Sequence, residues 1–120
     1  MIPWAKPNYH GNEEKYVRQA LKSTWISDGS FIKNFEKRFC KYVNSRFAIS
    51  VTNGTTALHL VYLAMGLKRG DEVIIPGFGY MAAANIALQM GIKPVFADVD
   101  LETFCVTAEN IKKKISSKTK

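Results

Sequence analysis

The chain has 120 residues, of which 47% are hydrophobic and 22% are charged, and its formal net charge is +7. This is the composition of an ordinary globular protein, and the length allows one domain with a hydrophobic core. No hydrophobic run approaches the ~18 residues of a membrane span, and the N-terminus lacks the charged-then-apolar order of a signal peptide. We therefore expect a cytoplasmic protein that makes no contact with a membrane.

The positive charge is concentrated at the C-terminus and does not by itself predict nucleic-acid binding. Residues 112–120 contain five lysines, so the rest of the chain carries a net charge of only +2. No aromatic residue lies among these lysines, although single-stranded nucleic acids are commonly held by stacking on aromatic side chains. A solvated helix end is the better interpretation, and nucleic-acid binding is the least favoured function.

The cysteines and histidines do not predict a metal site or a disulfide. Cys40 and Cys105 are 65 residues apart in the sequence, and His10 and His59 do not combine with them in a ligand spacing. We expect free thiols and no bound metal.

The chain begins with an extended arm and a first helix. Pro3 and Pro7 disfavour helix in residues 1–10. A helix with Asn12 as its N-cap is expected to follow and to end near Ser23, because Glu and apolar residues occupy the favoured positions.

A loop and a second helix come next. Turn-forming residues surround Trp25 in residues 24–30. Helical periodicity then predicts a helix from about Phe31 to Tyr42, with four apolar residues facing inward, namely Ile32, Phe35, Phe39 and Val43.

The centre of the chain predicts a strand that turns directly into a helix. Residues 47–51 are mostly apolar or β-branched and indicate a buried strand, and residues 56–65 have apolar side chains at helical spacing. Gly54 permits a sharp turn or a close approach of the backbone, and Thr55 or Thr56 is expected to cap the helix.

Such a turn directs free N–H groups and the positive end of the helix dipole at one point, which suits a phosphate. The spacing is neither that of the dinucleotide fingerprint nor that of the P-loop, and the two threonine hydroxyls favour a single phosphomonoester. On these residues alone, a plain strand-to-helix turn remains the alternative.

The remaining sequence repeats the alternation of strand and helix. Strands are predicted at 72–76 and 93–99 and helices at 81–90 and 108–115, the last with Thr107 as its cap, and residues 118–120 are expected to lead into a further strand. This order predicts an α/β fold, a mainly parallel sheet flanked by helices. The loops that follow parallel strands gather at one edge of the sheet, so Tyr80 or Phe78 would lie beside the phosphate and suggest a flat phosphorylated cofactor.

At this point the sequence resembles a known family, the DegT/StrS-type sugar aminotransferases. The likeness rests on Val51–Leu60, Gly70–Pro76 and Lys93–Asp100 and extends in order through essentially all 120 residues. It is strongest to members that aminate 4-keto-6-deoxy nucleotide sugars. The resemblance implies the N-terminal part of the large domain of the fold-type-I transferases that use pyridoxal 5′-phosphate (PLP). It also implies a homodimer, a nucleotide-sugar substrate and an amino-acid donor, which is usually glutamate.

The resemblance also implies roles for individual residues. Gly54, Thr55 and Thr56 correspond to residues that hold the PLP phosphate, and Tyr80 corresponds to an aromatic residue that stacks on the pyridine ring. Ser27 lies in a loop that resembles the substrate side of the family's site and is expected to contact the substrate. Gly77 and Gly79 stand where relatives often have Ser and Thr, so hydroxyl contacts from that loop are not expected.

No catalytic residue is expected within the chain. The lysine that forms the Schiff base with PLP lies, in this family, in a motif beyond the region matched, so we expect it beyond residue 120 and expect the chain alone to be an inactive N-terminal fragment. The implied division is residues 1–30 as arm, first helix and substrate-side loop, and residues 31–120 as an incomplete PLP-binding large domain. A stand-alone phosphate-binding α/β domain and a PLP-dependent sugar dehydratase remain alternatives.

Overall fold

The structure, a computed structural model, describes residues 2–3 and 5–120. Met1 and Trp4, which belong to the predicted arm, lie outside the described residues. The chain forms two compact units, an N-terminal unit of Met1–Ser50 and a C-terminal unit of Val51–Lys120. The longest helix in the described part of the chain has 14 residues, and no helix there is long and apolar enough to cross a bilayer.

The N-terminal unit contains the two predicted helices, α1 (Glu13–Lys22) and α2 (Ser30–Val43). Asn12 lies at the N-cap position of α1, but its side chain makes no capping hydrogen bond. Instead the Glu13 carboxylate accepts a hydrogen bond from the Gly11 N–H at 2.8 Å. The edge of the Tyr16 ring packs against Phe31 with a centroid distance of 6.1 Å, which links the two helices.

The prediction that the apolar face of α2 is buried is wrong for this unit. Phe35, Phe39 and Val43 are exposed, and neither α1 nor α2 contains a buried residue among those described. Two short helices cannot enclose a core between them, so most of the apolar surface of each faces outward.

The C-terminal unit has the predicted α/β architecture. Its two strands pair in parallel, in a register that runs from Glu72 opposite Lys93 to Pro76 opposite Ala97. A helix connects them, as is usual for the crossover between parallel strands. The elements in chain order are α3 (Gly54–Ala64), β1 (Glu72–Pro76), α4 (Ala82–Gln89), β2 (Lys93–Ala97) and α5 (Ala108–Lys112).

The hydrophobic core of this unit lies where α3 packs against α4. Its buried residues are Tyr62, Leu67, Ile86, Ala87 and Ile92. The Tyr62 hydroxyl donates to the carbonyl oxygen of Ala83 at 3.4 Å, which gives its polar end a partner at the beginning of α4. The core therefore fixes α3 against the helix that follows the loop after β1.

The strand predicted at residues 47–51 is not formed. The sheet of the described residues has two strands, β1 and β2, and these residues lie outside it without regular secondary structure. A strand depends on hydrogen bonds to a neighbouring strand as well as on apolar residues. Here the Ser50 N–H donates instead to the carboxylate of Glu36 on α2, at 2.7 Å.

Residues 118–120, which are predicted to lead into a further strand, pair with the first residue of β1. The Glu72 N–H donates to the Lys118 carbonyl at 2.9 Å, and the Lys120 N–H donates to the Glu72 carbonyl at 3.1 Å. Thr119 and Glu72 thereby form a parallel bridge, so the first residue of β1 is paired on both sides.

Candidate functional site

The start of α3 is capped by Asn53. Its backbone is extended, and its side-chain oxygen accepts hydrogen bonds from the Thr56 N–H at 2.9 Å and from the Thr56 hydroxyl at 3.1 Å. The prediction that Thr55 or Thr56 caps the helix is therefore wrong. The helix begins at Gly54, two residues earlier than predicted, so Asn53 is the residue whose side chain can reach the third N–H group.

This cap uses one of the donors predicted to hold a phosphate and leaves two others. The Thr56 N–H is bonded to Asn53, whereas the N–H groups of Gly54 and Thr55 have no hydrogen-bond partner within residues 2–3 and 5–120. The first N–H groups of a helix have no partner inside it, and the helix dipole places partial positive charge there. The position is thus a favourable one for an anion.

The surroundings of Gly54 on its side-chain side are open. A Cβ atom built on Gly54 would meet no atom within 4 Å, and Gly54 is exposed. Thr55 is half-buried and Thr56 is exposed. The absence of a side chain at position 54 allows a ligand to reach the backbone directly. The residues present therefore fit a phosphate group, with Gly54 and Thr55 better placed to donate than Thr56.

The loop after β1 carries Tyr80. Its first residue, Gly77, donates its N–H to the Ala97 carbonyl at 2.8 Å, and a Cβ atom built on Gly77 would lie 3.3 Å from that oxygen. This tight approach favours glycine at a position where relatives were expected to have a larger residue. Tyr80 itself is 90% exposed, so its ring is accessible to a ligand.

The five predicted site residues are divided between the two units. Gly54, Thr55, Thr56 and Tyr80 belong to the C-terminal unit, the first three at the start of α3 and Tyr80 just before α4. Ser27 belongs to the N-terminal unit and is exposed in the loop between α1 and α2.

Asp98 and Asp100, which follow β2, accept hydrogen bonds from backbone N–H groups close to them in the chain. One oxygen of Asp100 accepts hydrogen bonds from the Thr103 N–H and hydroxyl, both at 2.9 Å, and from the Glu102 N–H at 3.2 Å. These bonds lower the pKa of the Asp100 carboxyl, and the bond from the Thr103 N–H has the largest effect. Asp98 accepts a bond from the Val99 N–H at 2.9 Å.

Sequence reasoning missed Asn53 and Phe104. Asparagine is at least as good an N-cap as threonine, so the identity of residue 53 was the available signal. Phe104 packs against Phe78, with ring centroids 5.7 Å apart, although the two residues are 26 positions apart in the chain. Nothing in the local sequence indicates that contact.

Comparison with known proteins agrees with the fold. Residues 7–120 match the DegT/DnrJ/EryC1/StrS aminotransferase family, and the chain belongs to that family. The resemblance found in the sequence is thereby confirmed.

Two curated relatives are GDP-perosamine synthases. The enzyme of Vibrio cholerae is 44% identical over 121 residues, which cover 100% of this chain and 33% of that protein. The enzyme of Escherichia coli O157:H7 is 43% identical over 120 residues, which cover 99% of this chain and 33% of that protein. The chain thus spans about a third of the length of the curated relatives it matches.

Solved structures of family members share the fold. The putative sugar aminotransferase Spr1654 of Streptococcus pneumoniae, in its PLP form, superposes with a TM-score of 0.92 at 30% identity, covering 99% of this chain and 30% of that one. The E. coli GDP-4-keto-6-deoxy-D-mannose-3-dehydratase with bound hydrated PLP gives a TM-score of 0.87 at 29% identity. The superposition covers 98% of this chain and 32% of that one.

Proposed function

We propose that this chain holds the cofactor phosphate in a PLP-dependent nucleotide-sugar aminotransferase. The observation that carries the proposal is the start of α3, where the N–H groups of Gly54 and Thr55 have no hydrogen-bond partner within residues 2–3 and 5–120. The proposed reaction converts a 4-keto-6-deoxy nucleotide sugar to the amino sugar, with an amino acid, expected to be glutamate, as donor. The GDP-perosamine synthases among the relatives support this substrate class.

The residues of the chain would bind and orient the cofactor. Gly54 and Thr55 would donate backbone hydrogen bonds to the phosphate, and the α3 dipole would favour its negative charge. The Thr55 hydroxyl, which has no hydrogen-bond partner within residues 2–3 and 5–120, would add a further bond, whereas the Thr56 N–H and hydroxyl both donate to Asn53. The exposed Tyr80 ring would stack on the cofactor ring, a contact worth about 1 kcal/mol.

Transfer of the amino group also requires groups that are not among the residues named above. When bound, PLP supplies an electron sink for transfer of the amino group. The lysine that this requires is proposed to lie beyond Lys120, so the chain alone would bind the cofactor without transamination. Residues 31–120 would then be an incomplete PLP-binding large domain, and residues 1–30 would provide the arm and the substrate-side loop with Ser27.

Association and location are further parts of this proposal. The exposed apolar residues on α1 and α2 support an interaction surface, in keeping with a homodimer. Both cysteines are free thiols, which supports a reducing compartment such as the cytoplasm. The proposal includes a role in polysaccharide biosynthesis, to which the amino-sugar product would contribute.

The proposal is tested by titrating the chain with pyridoxamine 5′-phosphate, which carries the same ring and phosphate as PLP but cannot react with surface lysines. Pyridoxamine and inorganic phosphate serve as matched probes for the two halves of the ligand. We expect the complete ligand to bind more tightly than either half, followed by tyrosine fluorescence or calorimetry. Lack of binding would contradict the proposal, and turnover of PLP with glutamate by the chain would contradict the assignment of the lysine.

Two alternatives make different predictions. A stand-alone phosphate-binding domain would bind inorganic phosphate as tightly as pyridoxamine 5′-phosphate, because the ring would contribute nothing. A PLP-dependent sugar dehydratase is supported by the superposition with the E. coli dehydratase. A dehydratase would bind the cofactor equally well. It would be distinguished by an assay of the full-length protein that detects release of water rather than transfer of an amino group.

A further inference from the structure

The position of Tyr80 depends on the backbone of its loop. Because Tyr80 is 90% exposed, contacts on its ring do little to hold it in place. The loop of residues 77–80 is held at two points within the C-terminal unit. Gly77 donates its N–H to Ala97, and the Phe78 ring lies against the ring of Phe104. Of these two contacts, the one made by Phe78 is closer to Tyr80 along the chain.

Phe104 is held in an unusual backbone conformation. Its φ angle is +55°, in the left-handed region that bulky residues rarely adopt. The turn around it is closed by backbone hydrogen bonds of 2.9 Å, from the Phe104 N–H to the Asp100 carbonyl and from the Asp100 N–H to the Cys105 carbonyl. The Asp100 carboxylate, with its three accepted hydrogen bonds, organises the interior of the same turn.

The turn is attached to the rest of the unit on both sides. Val99 and Val106 form an antiparallel bridge at its base. The Asn110 side chain, on α5, donates to the Asp98 carbonyl at 3.0 Å. The Phe104 ring is therefore presented from a fixed base, with its centroid 5.7 Å from that of the Phe78 ring, within the distance range of favourable aromatic contacts.

We propose that Phe104 is a positioning residue whose ring holds Phe78 and thereby fixes the loop from which Tyr80 reaches the cofactor ring. Asp100 affects the loop indirectly, because it maintains the turn that presents Phe104. The part of this inference that concerns the cofactor rests on the proposed function, whereas the effect of Phe104 on the loop does not.

The test compares Phe104→Gly with Phe104→Tyr. Glycine adopts a φ of +55° without strain, so Phe104→Gly removes the ring while the turn is retained. Tyrosine keeps the ring and is the conservative rescue. Leu101→Ala is the matched control, because Leu101 is an exposed apolar residue of the same turn.

The first measurement is made on the ligand-free chain. We expect Phe104→Gly to change the amide chemical shifts of Gly77, Phe78, Gly79 and Tyr80 and to increase their motion, while Phe104→Tyr and Leu101→Ala leave them close to those of the wild type. Unchanged shifts in Phe104→Gly would overturn the proposal, whether or not the chain binds a cofactor.

The second measurement is the affinity for pyridoxamine 5′-phosphate and for inorganic phosphate. We expect Phe104→Gly to lose about three- to tenfold in affinity for the complete ligand, the range that loss of an aromatic stack allows. Its affinity for phosphate should be unchanged, because Gly54 and Thr55 are untouched. Equal losses for both ligands, or no loss for either, would overturn the role towards Tyr80. Failure of the wild type to bind either ligand would instead contradict the proposed function, and the chemical shifts would still decide the effect on the loop.

Discussion

Glu72 and Lys93, which begin the two paired strands, are joined by a salt bridge of 2.9 Å between Oε1 and Nζ. The second carboxylate oxygen of Glu72 accepts a hydrogen bond from the Ser116 hydroxyl at 2.5 Å. Glu72 is buried, whereas most of the Lys93 side chain is exposed. One carboxylate therefore connects β1, β2 and the segment after α5.

The first prediction concerns acid stability. The Ser116 hydrogen bond, followed by the contact with Lys93, holds the pKa of the Glu72 carboxyl below its ordinary value. A lowered pKa in the folded state means that this stabilisation is fully present above the unfolded-state pKa of about 4.3 and is lost as the pH falls through the lower folded-state pKa. Glu72→Gln should therefore reduce the free energy of unfolding at pH 7 and flatten its decline below pH ~4.3.

Urea unfolding at a series of pH values measures this effect. Glu102→Gln is the control, because the Glu102 residue is exposed. A pH profile of Glu72→Gln parallel to that of the wild type would show that Glu72 contributes nothing through its charge.

The second prediction concerns the cap of α3. Asn53→Ala removes the acceptor of the Thr56 N–H and should lower the free energy of unfolding by about 1 kcal/mol. Asn53→Ser keeps a capping oxygen and should remain close to the wild type. Chemical unfolding followed by circular dichroism measures both variants, and equal losses for alanine and serine would argue against the cap.

The third prediction separates binding from folding at Gly54. A methyl group added there meets no protein atom, so Gly54→Ala should leave stability unchanged or slightly raised. The same methyl group would occupy the space proposed for the phosphate and should weaken binding of pyridoxamine 5′-phosphate by about tenfold, as expected for a lost hydrogen bond to a charged group.

Gly11→Ala is the matched control, since its added Cβ lies no closer than 3.4 Å to any atom and Gly11 belongs to the other unit. Calorimetric titration of both variants decides the matter. Wild-type affinity in Gly54→Ala would rule out a phosphate against this part of α3.

The fourth prediction concerns the ring of Tyr80. Tyr80→Ala should reduce the affinity for pyridoxamine 5′-phosphate by about three- to tenfold, and Tyr80→Phe, which retains an aromatic face, should bind like the wild type. Because Tyr80 is exposed, both variants should unfold within about 0.5 kcal/mol of the wild type. Equal binding by alanine and phenylalanine variants would exclude stacking.

The sequence was sufficient to predict what depends on local periodicity. Residues 72–76 and 93–97 are β-forming stretches separated by an alanine-rich helix, and that order specifies a parallel pair with a helical connection. Thr107 was predicted as a cap from its position alone, and its hydroxyl accepts the Asn110 N–H at 3.2 Å. The division into residues 1–30 and 31–120 and the roles of the five site residues stay predictions.

Features that depend on distant residues could not be predicted. Residues 47–51 have a strand-like composition, but the sequence does not show that Glu36 bonds to the Ser50 N–H or that these residues lie outside the two-stranded sheet. The contact of Phe104 with Phe78 depends on a positive φ angle and on a turn closed around Asp100. Neither is visible in hydrophobic periodicity, which reports only which face of a local element is apolar.

The pairing of Glu72 with residues 118–120 has a consequence for how the chain would respond to a protease. Leu101, Glu102 and Thr103 are exposed in a turn and are accessible to cleavage. A cut there would leave the C-terminal piece attached, because Ser116, Lys118 and Lys120 are all hydrogen-bonded to Glu72. The two pieces would elute together in gel filtration and would separate only when a denaturant breaks those hydrogen bonds.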